Sequence, residues 1–488
     1  MTAQYEPIAS YRLMERASRA FFDELIRRVE DTTTFCVVAG SGNNGGDALV
    51  IARLLLMIGR SVVVYLVSPK NKMSEDCAAA YRDLTSRFPD SVITVDGDAS
   101  FLIQEDCVID GLFGSGLNRP LSGLYKSVVE RINDARKFVV SVDMPSGLFG
   151  EDNDSNDSRA IVRASLTLTF QFPKLSFLLP ENEAFVGEVK VLDIQLHPQA
   201  IAEVPSCYRL TETADVKPLL RVRPRFSHKG TYGHALLVAG SLGMTGAALL
   251  AARSALRSGC GLLSVRVPSK CREILQIGVP EAIVSVDDDA DCFSSLPDMS
   301  KYNAVGVGPG LGTAENTKVA MKALLEQIGE KPLVVDADAL NLLGENPSWW
   351  NLIPENTILT PHPKEFERIL GRKTVGFERW MAQKELSVKH RVVIVLKGAY
   401  TSVSLPDGTL HFNTTGNSGM ATAGSGDTLT GILLSLLAQG YDAADAARLG
   451  VWLHGKAGDL ALAEQSEESL LAGDITCNLG KAFSSLKM

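Results

Sequence analysis

The sequence predicts an α/β protein of two domains, each a parallel sheet with helices on both faces. Its 488 residues suggest about three domains or two large ones at roughly 150 residues per domain. The composition, 45% hydrophobic and 22% charged, is that of a globular chain able to bury sizeable cores. Near-continuous Val, Ile and Leu runs alternate with helical patterns in both halves, which indicates parallel strands buried on both faces.

Charge and cysteine use exclude several classes of protein. The formal charge of −9 has the wrong sign for a general nucleic-acid binder, whose affinity depends on neutralising phosphates. The eight cysteines form no C-x-x-C pair and no zinc-finger spacing, so we interpret them as reduced, mostly packed thiols. The most apolar stretch, residues 48–58, is interrupted by Arg53 and is too short to span a bilayer. We therefore expect a cytoplasmic protein without a nucleic-acid or membrane partner.

The first series of strands and helices begins at Thr34. The runs FCVVAG, SVVVYLV, SVITV, CVIDGLFG and FVVSVDMPSG predict strands, with helices over about 46–58, from about 74, and near 124–135. The acidic stretch 151–158 predicts a surface loop, after which LTLTFQFPK and GEVKVLDIQL resume extended structure. The first half is therefore predicted to be a doubly wound domain, residues 1–204.

The second series follows an irregular stretch with several prolines, which predicts a linker over residues 205–224. A domain over 225–488 then contains the strand-like runs HALLVAGS, LLSVRVP, NAVGVGPGLG, PLVVDADALN, TILTPHPKE and VVIVLKGAYTSVSL. A helix is predicted over 246–258, and a glycine-rich loop leads into the apolar run TLTGILLSLLAQG. No sequence repeat of fixed period relates the halves, which indicates two different folds.

The loop AGSGNNGGD, residues 39–47, follows a buried strand and opens a helix. Its backbone N–H groups and the positive end of the helix dipole can receive an anion. A Rossmann G-x-G-x-x-G can be drawn through it, but that pattern by itself also fits a tight turn. Asn43 and Asn44 offer uncharged amide groups, which suit a neutral ring or a monovalent cation better than zinc.

Two other strands of the first half end near an aspartate, Asp110 in IDGLFGSGL and Asp143 in VDMPSG. Ligands of open α/β sheets bind beyond the carboxyl ends of the strands, so both should converge with the asparagine loop. Each could act as a proton acceptor or simply cap a helix, and the pattern leaves both interpretations open.

Four motifs in this order, LMERAS, AGSGNNGGD, DGLFGSGL and VDMPSGL, resemble the N-terminal epimerase domain of the bifunctional NAD(P)H-hydrate repair enzymes over about residues 10–195. The resemblance implies a Rossmann-like three-layer αβα fold and interconversion of the R and S epimers of hydrated NADH and NADPH. It also implies a potassium ion held by Asn44, Asp110 and Ser146. The chain departs from the family pattern at Ala48, where Gly is usual, and at Arg16, where Asn is frequent.

The same resemblance assigns substrate and catalytic positions in the first domain. Asp143 and, less directly, Lys174 in FPK are the implied catalytic groups. The implied substrate contacts are Asn43, Asn44, Gly45, Gly46, Asp47, Gly114, Ser115, Gly116, Leu117, Asn118, Arg119, Pro120 and Asp143.

In the second half, the loop NSGMATAGSGD, residues 417–427, precedes a strongly apolar helix. Its glycines let consecutive N–H groups point at one anion, and Asp427 can accept a proton from a hydroxyl that faces a phosphoryl group. Helix capping by Asp427 is the alternative. The loop resembles the GxGD motif of the ribokinase superfamily, and the absence of a Walker A lysine motif argues against a P-loop kinase.

Other strand ends of the second half carry GPGLG (308–312), DADALN (336–341), TPHPKE (360–365) and KGAYT (397–401). The last could hold nucleotide phosphate through backbone and hydroxyl donors. A lone histidine such as His362 is more often structural, but prolines on both sides fix its backbone at a strand end and favour it as a ligand contact.

With AGSGD and SHKGTYGHALLVAGS, these motifs resemble the ADP-dependent NAD(P)H-hydrate dehydratases over about residues 225–485. A ribokinase-like αβα fold is implied, and Lys364 stands where many members have Gly. The implied contacts with the hydrate are Ala247, Gly310, His362 and Asp427. The implied contacts with the nucleotide are Lys397, Gly398, Ala399, Tyr400, Thr401 and Gly426.

The resemblance implies that Asp427 is the base that lets the hydrate's hydroxyl attack the terminal phosphoryl group of ADP, with Mg²⁺ screening the phosphates. Phosphate is a better leaving group than hydroxide, which explains why a dehydration needs a nucleotide. We also expect a homo-oligomer. Two alternatives stay open: a small-molecule kinase of ribokinase type fused to a nucleotide-binding or interaction domain, and a first domain that only binds a partner.

Overall fold

Each half of the chain forms its own sheet in the computed structural model, which describes residues 5–67, 73–96 and 101–487. The chain divides between Pro205 and Ser206 into two compact units, with Gly376–Glu378 grouped with the first. The predicted α/β class with mostly parallel sheets is confirmed in both units.

The first unit contains a seven-stranded parallel sheet in the order β3-β2-β1-β4-β5-β6-β7. The order reverses at β1, which pairs with β2 on one side and with β4 on the other, so that Val38 of β1 lies opposite Tyr65 and Asp110. That reversal is the switch point at which doubly wound sheets open a crevice for ligands. The strands are β1 (Phe35–Ala39), β2 (Val62–Val67), β3 (Val92–Val95), β4 (Cys107–Gly111), β5 (Phe138–Val142), β6 (Leu166–Phe170) and β7 (Glu188–Leu192).

Six described helices belong to this unit: α1 (Ser10–Ile26), α2 (Asn43–Met57), α3 (Glu75–Arg87), α4 (Leu124–Asp134), α5 (Glu183–Val186) and α6 (Pro198–Ala202). Helix α2 begins earlier than the predicted residue 46, so both asparagines lie in its first turn. The sequence prediction placed the start of α2 too late because glycine is a poor helix former. Here Gly45 is required by close packing, because a Cβ on it would lie 1.9 Å from the Gly40 carbonyl oxygen.

The second unit contains a ten-stranded sheet in the order β11-β10-β9-β12-β13-β14-β15-β16-β17-β8. Its strands are parallel from β11 to β15, and β16 pairs antiparallel with both of its neighbours. The strands are β8 (Tyr208–Thr211), β9 (His234–Val238), β10 (Leu262–Val267), β11 (Ile283–Val286), β12 (Ala304–Val307), β13 (Leu333–Val335), β14 (Ile358–Leu359), β15 (Val393–Leu396), β16 (Ser402–Ser404) and β17 (Leu410–Asn413).

Helices cover both faces of this second sheet. They are α7 (Thr213–Val216), α8 (Thr245–Arg257), α9 (Arg272–Gly278), α10 (Glu315–Gln327), α11 (Ala337–Glu345), α12 (Pro363–Leu370), α13 (Gly376–His390), α14 (Ser425–Ala438), α15 (Ala443–Ala461) and α16 (Ala472–Ser485). Helix α14 is buried along nearly its whole length. It packs closely on α8, because a Cβ at Gly431 would lie 2.1 Å from the Ala251 carbonyl oxygen.

The predicted linker over 205–224 differs from the structure. Strand β8 lies within it and pairs in parallel with β17, with Thr211 opposite Asn413, and the following helix buries Val216 completely. The segment is therefore largely part of the second unit. A four-residue edge strand with prolines nearby carries too little periodicity to be recognised in the sequence.

Two smaller expectations concern cysteines and membrane spans. All eight cysteines are free thiols, and five are buried, as the scattered spacing predicted. Among the residues that the structure describes, no helix combines the length and the apolar character needed to cross a bilayer.

Candidate active sites

The first candidate site lies at the carboxyl ends of β1 and β4, where α2 begins. Backbone segments approach one another closely here, since a Cβ on Gly40 would lie 2.1 Å from the Leu112 carbonyl oxygen. A Cβ on Gly111 would lie 2.3 Å from that of Ala48. The Ala48 methyl group therefore uses the space left by Gly111, and its departure from the family pattern is accommodated in packing.

Asp110 is fully buried in β4 and accepts four hydrogen bonds. The donors are the hydroxyl of Ser146 at 2.5 Å, the backbone N–H of Ser146 and the hydroxyl of Ser141 at 2.8 Å each, and the N–H of Leu112 at 3.3 Å. Burial nevertheless raises the pKa of Asp110, because these donors do not compensate the loss of water. No ion pair to Asp110 exists among the described residues. A bound cation would supply the missing charge.

The oxygen-rich surroundings of Asp110 fit a monovalent cation. The Ser146 hydroxyl lies 3.1 Å from the Phe113 carbonyl oxygen, and the Asn44 side chain packs on Gly114, whose Cβ would lie 3.3 Å from Asn44 Oδ1. The buried Nδ2 of Asn44 has no hydrogen-bond partner in the protein. Hydroxyl, carboxylate and amide oxygens are hard donors of the kind that alkali cations accept.

Asp143 and Lys174 form an ion pair nearby, with 2.5 Å between Lys174 Nζ and Asp143 Oδ1. The same carboxylate oxygen accepts from the Thr169 hydroxyl at 3.2 Å and the Phe170 N–H at 3.0 Å. Asp143 has a φ of 64°, a left-handed conformation that non-glycine residues rarely adopt and that clusters at functional sites. The structure thus joins the two residues assigned as catalytic by resemblance, and Asp143 does not cap a helix.

Asp47 is a third acid in this region. Burial raises its pKa well above the usual range, Asp143 and Asp76 add to the rise, and the Ser18 hydroxyl, which donates at 3.1 Å, opposes it. Ser18 comes from the LMERAS motif, whose place in the site the sequence did not explain. Arg16 of that motif, by contrast, pairs with Glu6 at 3.0 Å.

The loop that follows β4 is open to solvent. Residues 118–120 are exposed and Leu117 is half-buried. Gly114, at its start, contacts the asparagine loop through the Asn44 side chain. The structure therefore brings together residues 43–47 with Asp110, Asp143 and Ser146, and leaves the predicted substrate contacts of 115–120 at the rim.

The second candidate site is a cleft of about 800 Å³ in the second unit. It gathers the glycine-rich loop before α14, the end of β13, the turn after β15 and the segment after β17. The predicted site residues on its wall are His362, Lys397, Gly398, Ala399, Tyr400, Thr401, Gly426 and Asp427.

Asp427 lies in the first turn of α14, whose N-cap is Gly424 with a φ of 85°. No hydrogen bond to its carboxylate is present among the described residues, so it does not cap the helix. The pKa of Asp427 is raised to about 6, chiefly by burial and next by the charge of Asp336, while Lys397 opposes the rise. A carboxyl group with a pKa near neutrality, free of internal partners and facing a cleft has the properties of a general base.

Lys397 is held by carboxylates rather than extended into the cleft. Its Nζ lies 3.0 Å from Asp336 Oδ1 and 3.8 Å from Glu365 Oε2, and Asp336 also accepts from the Thr430 hydroxyl at 2.6 Å. Burial by itself would lower the pKa of Lys397, but Asp336 and Glu365 outweigh it and raise the pKa. The ammonium group therefore stays charged.

His362 serves both interpretations that the sequence left open. Its Nδ1 accepts the N–H groups of Lys364 and Glu365 at 3.1 and 3.3 Å and so caps α12. Its ring also lines the cleft. Burial lowers the pKa of His362, which keeps the ring neutral and able to accept these bonds.

Ala247 and Gly310, the other predicted hydrate contacts, lie beside each other and outside the cleft wall. A Cβ on Gly310 would lie 2.9 Å from that of Ala247. The Gly310 carbonyl accepts from Ser241 Oγ at 2.9 Å. Two residues further on, the Gly312 N–H donates to Asp338 at 2.9 Å.

Several cleft residues were missed by sequence reasoning. Asp336 follows a strand in DADALN, which marked the segment but not the direction of its side chain. His454 lies on α15 with Nε2 3.3 Å from the Ser425 hydroxyl, and burial lowers its pKa to about 4. A histidine within a buried helical pattern gives no signal in a single sequence. The polar segment 413–418 also lines the cleft.

The two units match different family models. One described as NAD(P)H-hydrate dehydratase matches residues 235–481, and one described as YjeF-related protein N-terminus matches residues 10–176. A bifunctional NAD(P)H-hydrate repair enzyme of Thermofilum pendens is 36% identical over 97% of this chain and 92% of its own length. The protein of the same description from Coxiella burnetii is 36% identical over 96% and 94%.

Solved structures resemble the second unit. An ADP/ATP-dependent NAD(P)H-hydrate dehydratase of Bacillus subtilis, co-crystallised with ATP and Mg²⁺, is 35% identical with a TM-score of 0.50 and covers 57% of this chain and 98% of its own. A ribokinase-like superfamily protein of Enterococcus faecalis is 26% identical with a TM-score of 0.51, over 58% and 98%.

Proposed function

The chain belongs to the family of bifunctional NAD(P)H-hydrate repair enzymes, and from that premise we propose that each unit catalyses one step of this repair. The first unit interconverts the R and S epimers of hydrated NADH and NADPH. The second dehydrates the S epimer with ADP, giving NAD(P)H, AMP and phosphate. Relatives that match along nearly the whole chain favour this function over a small-molecule kinase fused to an interaction domain.

In the first unit, inversion at the hydroxyl-bearing ring carbon needs a group that removes and returns a proton. The Asp143–Lys174 pair could do this, because it places a proton donor, Lys174 Nζ, 2.5 Å from a proton acceptor, Asp143 Oδ1. The asparagine loop and residues 114–120 would contact the substrate. The buried carboxylate of Asp110, with Ser146 and Asn44, would hold K⁺, whose charge would orient the substrate beside the pair.

In the second unit, Asp427 accepts the proton of the hydrate's C6 hydroxyl as the oxygen attacks the terminal phosphoryl group of ADP and AMP leaves. Phosphate then departs from the ring with its bonding electrons, the neighbouring carbon loses a proton, and the ring double bond returns. His362 would contact the hydrate together with Ala247 and Gly310. Residues 397–401 and Gly426 would contact the nucleotide.

Mg²⁺ would neutralise the phosphates of the bound nucleotide. No group of three or more His, Cys, Asp or Glu side chains able to hold a metal lies within the described parts of the chain. This fits an ion that arrives with its nucleotide, because Mg²⁺ keeps several waters and commonly takes only one or two protein carboxylates.

The observation that carries the proposal is the partner-free Asp427, with a pKa near 6, at the helix N-terminus that opens on the cleft. The test supplies separated R and S hydrates of NADH to the full chain. With ADP and Mg²⁺ the S epimer should yield reduced nicotinamide and one phosphate per turnover. The R epimer should react only through prior epimerisation. Phosphorylated product accumulating without dehydration would favour the kinase alternative instead.

A homo-oligomeric state and a cytoplasmic location stay predictions. Size-exclusion chromatography with light scattering tests the first, and localisation of a fluorescent fusion tests the second.

A further inference from the structure

A group of three side chains lies next to the glycine-rich loop of the second unit: the buried Asp336 and Thr430, and the half-buried Lys397. Asp336 is 1% exposed and receives Lys397 Nζ on Oδ1 at 3.0 Å and the Thr430 hydroxyl on Oδ2 at 2.6 Å. Thr430 lies three residues after Asp427 on α14, so both point from the same side of that helix. The group thus joins the end of β13 and the turn after β15 to the helix that carries the base.

The backbone turns Asp336 toward this group. Asp336 is the N-cap residue of α11, yet its side chain makes no capping hydrogen bond, although aspartate is among the best residues for that role. The next residue, Ala337, has a φ of 49°, a left-handed conformation that is strained for a residue with a Cβ. The Asp336 carboxylate therefore makes no capping hydrogen bond and instead accepts a hydrogen bond from Lys397, next to a strained backbone at Ala337.

The Lys397 ammonium group lies close to the glycine-rich loop before α14. A Cβ on Gly426 would lie 3.3 Å from Lys397 Nζ and 4.0 Å from Asp336 Oδ2. The ammonium group therefore lies close to the first turn of α14. The free N–H groups and the helix dipole at this end of the helix already favour an anion. A fixed charge in this position adds to that preference without reorganising when a phosphoryl group arrives.

We propose that Asp336 is a positioning residue for phosphoryl transfer. Its carboxylate is fixed by Thr430 and holds the Lys397 ammonium group against Gly426, next to the phosphoryl group that is transferred. The proposal rests on the proposed function of the second unit and deepens it. It assigns Lys397 to the transferred phosphoryl group rather than to the nucleotide's leaving portion. Asp336 acts through Lys397 and does not contact substrate.

Charge in this group also sets the pH at which the base works. The groups that face Asp427 are Asp336, Lys397, Asp338 and Glu365. Burial raises the pKa of Asp427 most, Asp336 raises it further, and Lys397 lowers it. Since the ionised form is the base, removing Asp336's charge should move the acid limb of the rate profile to lower pH. Removing the charge of Lys397 should move it to higher pH.

The most discriminating variant is Thr430→Val, which keeps size and all charges but removes the hydroxyl that fixes Asp336. Thr428→Val is its matched control, because Thr428 is buried on the same helix and its hydroxyl has no partner. We expect Thr430→Val to lower kcat for ADP-dependent dehydration about tenfold, the loss of one charge-assisted hydrogen bond. KM for ADP and the acid limb should stay in place, and Thr428→Val should match the wild type.

Asp336→Asn and Lys397→Met complete the test. We expect Asp336→Asn to lower kcat about 10²-fold, as for loss of a preorganised donor to the transition state, and to shift the acid limb down. Lys397→Met should lower kcat at least as much and shift the limb up. The double variant should be no worse than Lys397→Met, since both residues act through one ammonium group.

Equal kcat and an unmoved acid limb in Asp336→Asn, with wild-type kcat in Thr430→Val, would overturn the positioning role. A drop in melting temperature without these kinetic changes would do the same, because it would show a structural role only. Failure of the proposed function looks different: the wild-type chain would itself not dehydrate the S hydrate. Should Asp336→Asn fail to fold, Thr430→Val against Thr428→Val decides the question.

Discussion

The two units bury a carboxylate at the centre of their sites in opposite ways. In the first, Asp110 receives hydrogen bonds from hydroxyl and backbone donors but no cationic side chain. In the second, Asp336 is equally buried and is paired with Lys397 at 3.0 Å. A buried charge without a partner is costly. We therefore expect the first unit to take a monovalent cation from solution, whereas the second pairs its carboxylate with Lys397.

The largest effect should come from Asp427→Asn, which keeps size but removes the proton acceptor. Loss of general base catalysis typically costs about 10²–10⁴-fold in rate. We expect this loss in dehydration of the S hydrate, with epimerisation intact. Asp445→Asn is the control, since Asp445 occupies the same place in the first turn of α15. A destabilised but fully active Asp427→Asn would refute its role as base.

Asp143→Asn should affect the first unit alone. It removes the carboxylate that pairs with Lys174, and we expect R-to-S interconversion to slow by about 10²-fold. Chiral chromatography of the two hydrates without ADP measures the rate. Asp157→Asn, which removes an aspartate from an ion pair with Lys126, should leave the rate unchanged. If both variants epimerise equally, the Asp143–Lys174 pair is not the catalytic group.

Asp110→Asn should remove the response to potassium. In the wild type we expect K⁺ to stimulate epimerisation about tenfold, the value of one interaction of about 1.4 kcal/mol. Asp106→Asn is the control, because it changes the same charge near the opposite end of β4. Potassium stimulation that persists in Asp110→Asn would place the cation elsewhere.

The pH dependence of stability follows from the same carboxylate. The pKa of Asp110 is raised in the folded state, so the folded protein keeps a proton that the unfolded chain loses above about pH 4. Stability should therefore fall as pH rises from there through the folded pKa. Bound K⁺ offsets the negative charge of the buried Asp110 carboxylate, so it should raise the melting temperature more at pH 8 than at pH 5. Equal gains at both pH values would contradict this linkage.

The smallest effect concerns the boundary between the units. Fragments that begin at Ser206 and at Arg221 should both dehydrate the S hydrate, but the shorter one lacks β8 and the buried Val216. Loss of one buried valine costs about 2 kcal/mol, so we expect a melting temperature lower by roughly 5 °C. Calorimetry of both fragments measures it. Identical stability would show that β8 is dispensable.

Sequence reasoning singled out candidate positions where polar residues follow recognisable motifs. Asp110 and Asp143 lie in or directly after an apolar run, and the carboxyl ends of parallel strands meet at one edge. Asp427 follows a glycine-rich loop that opens an apolar helix. It missed Thr430 and His454, because their roles depend on which face of a buried helix meets the cleft. It misplaced the start of α2, since glycines that oppose helix formation were selected there by close backbone packing.

The central contrast is tested most directly by comparing both activities in potassium chloride and in the chloride of a large organic cation. We expect epimerisation of the R hydrate to fall in the organic salt. Dehydration of pure S hydrate, which depends on Lys397, should continue at an unchanged rate with Mg²⁺ and ADP present. Equal epimerisation in the two salts, or a parallel loss of both activities, would contradict the prediction that only the first unit needs a monovalent cation from solution.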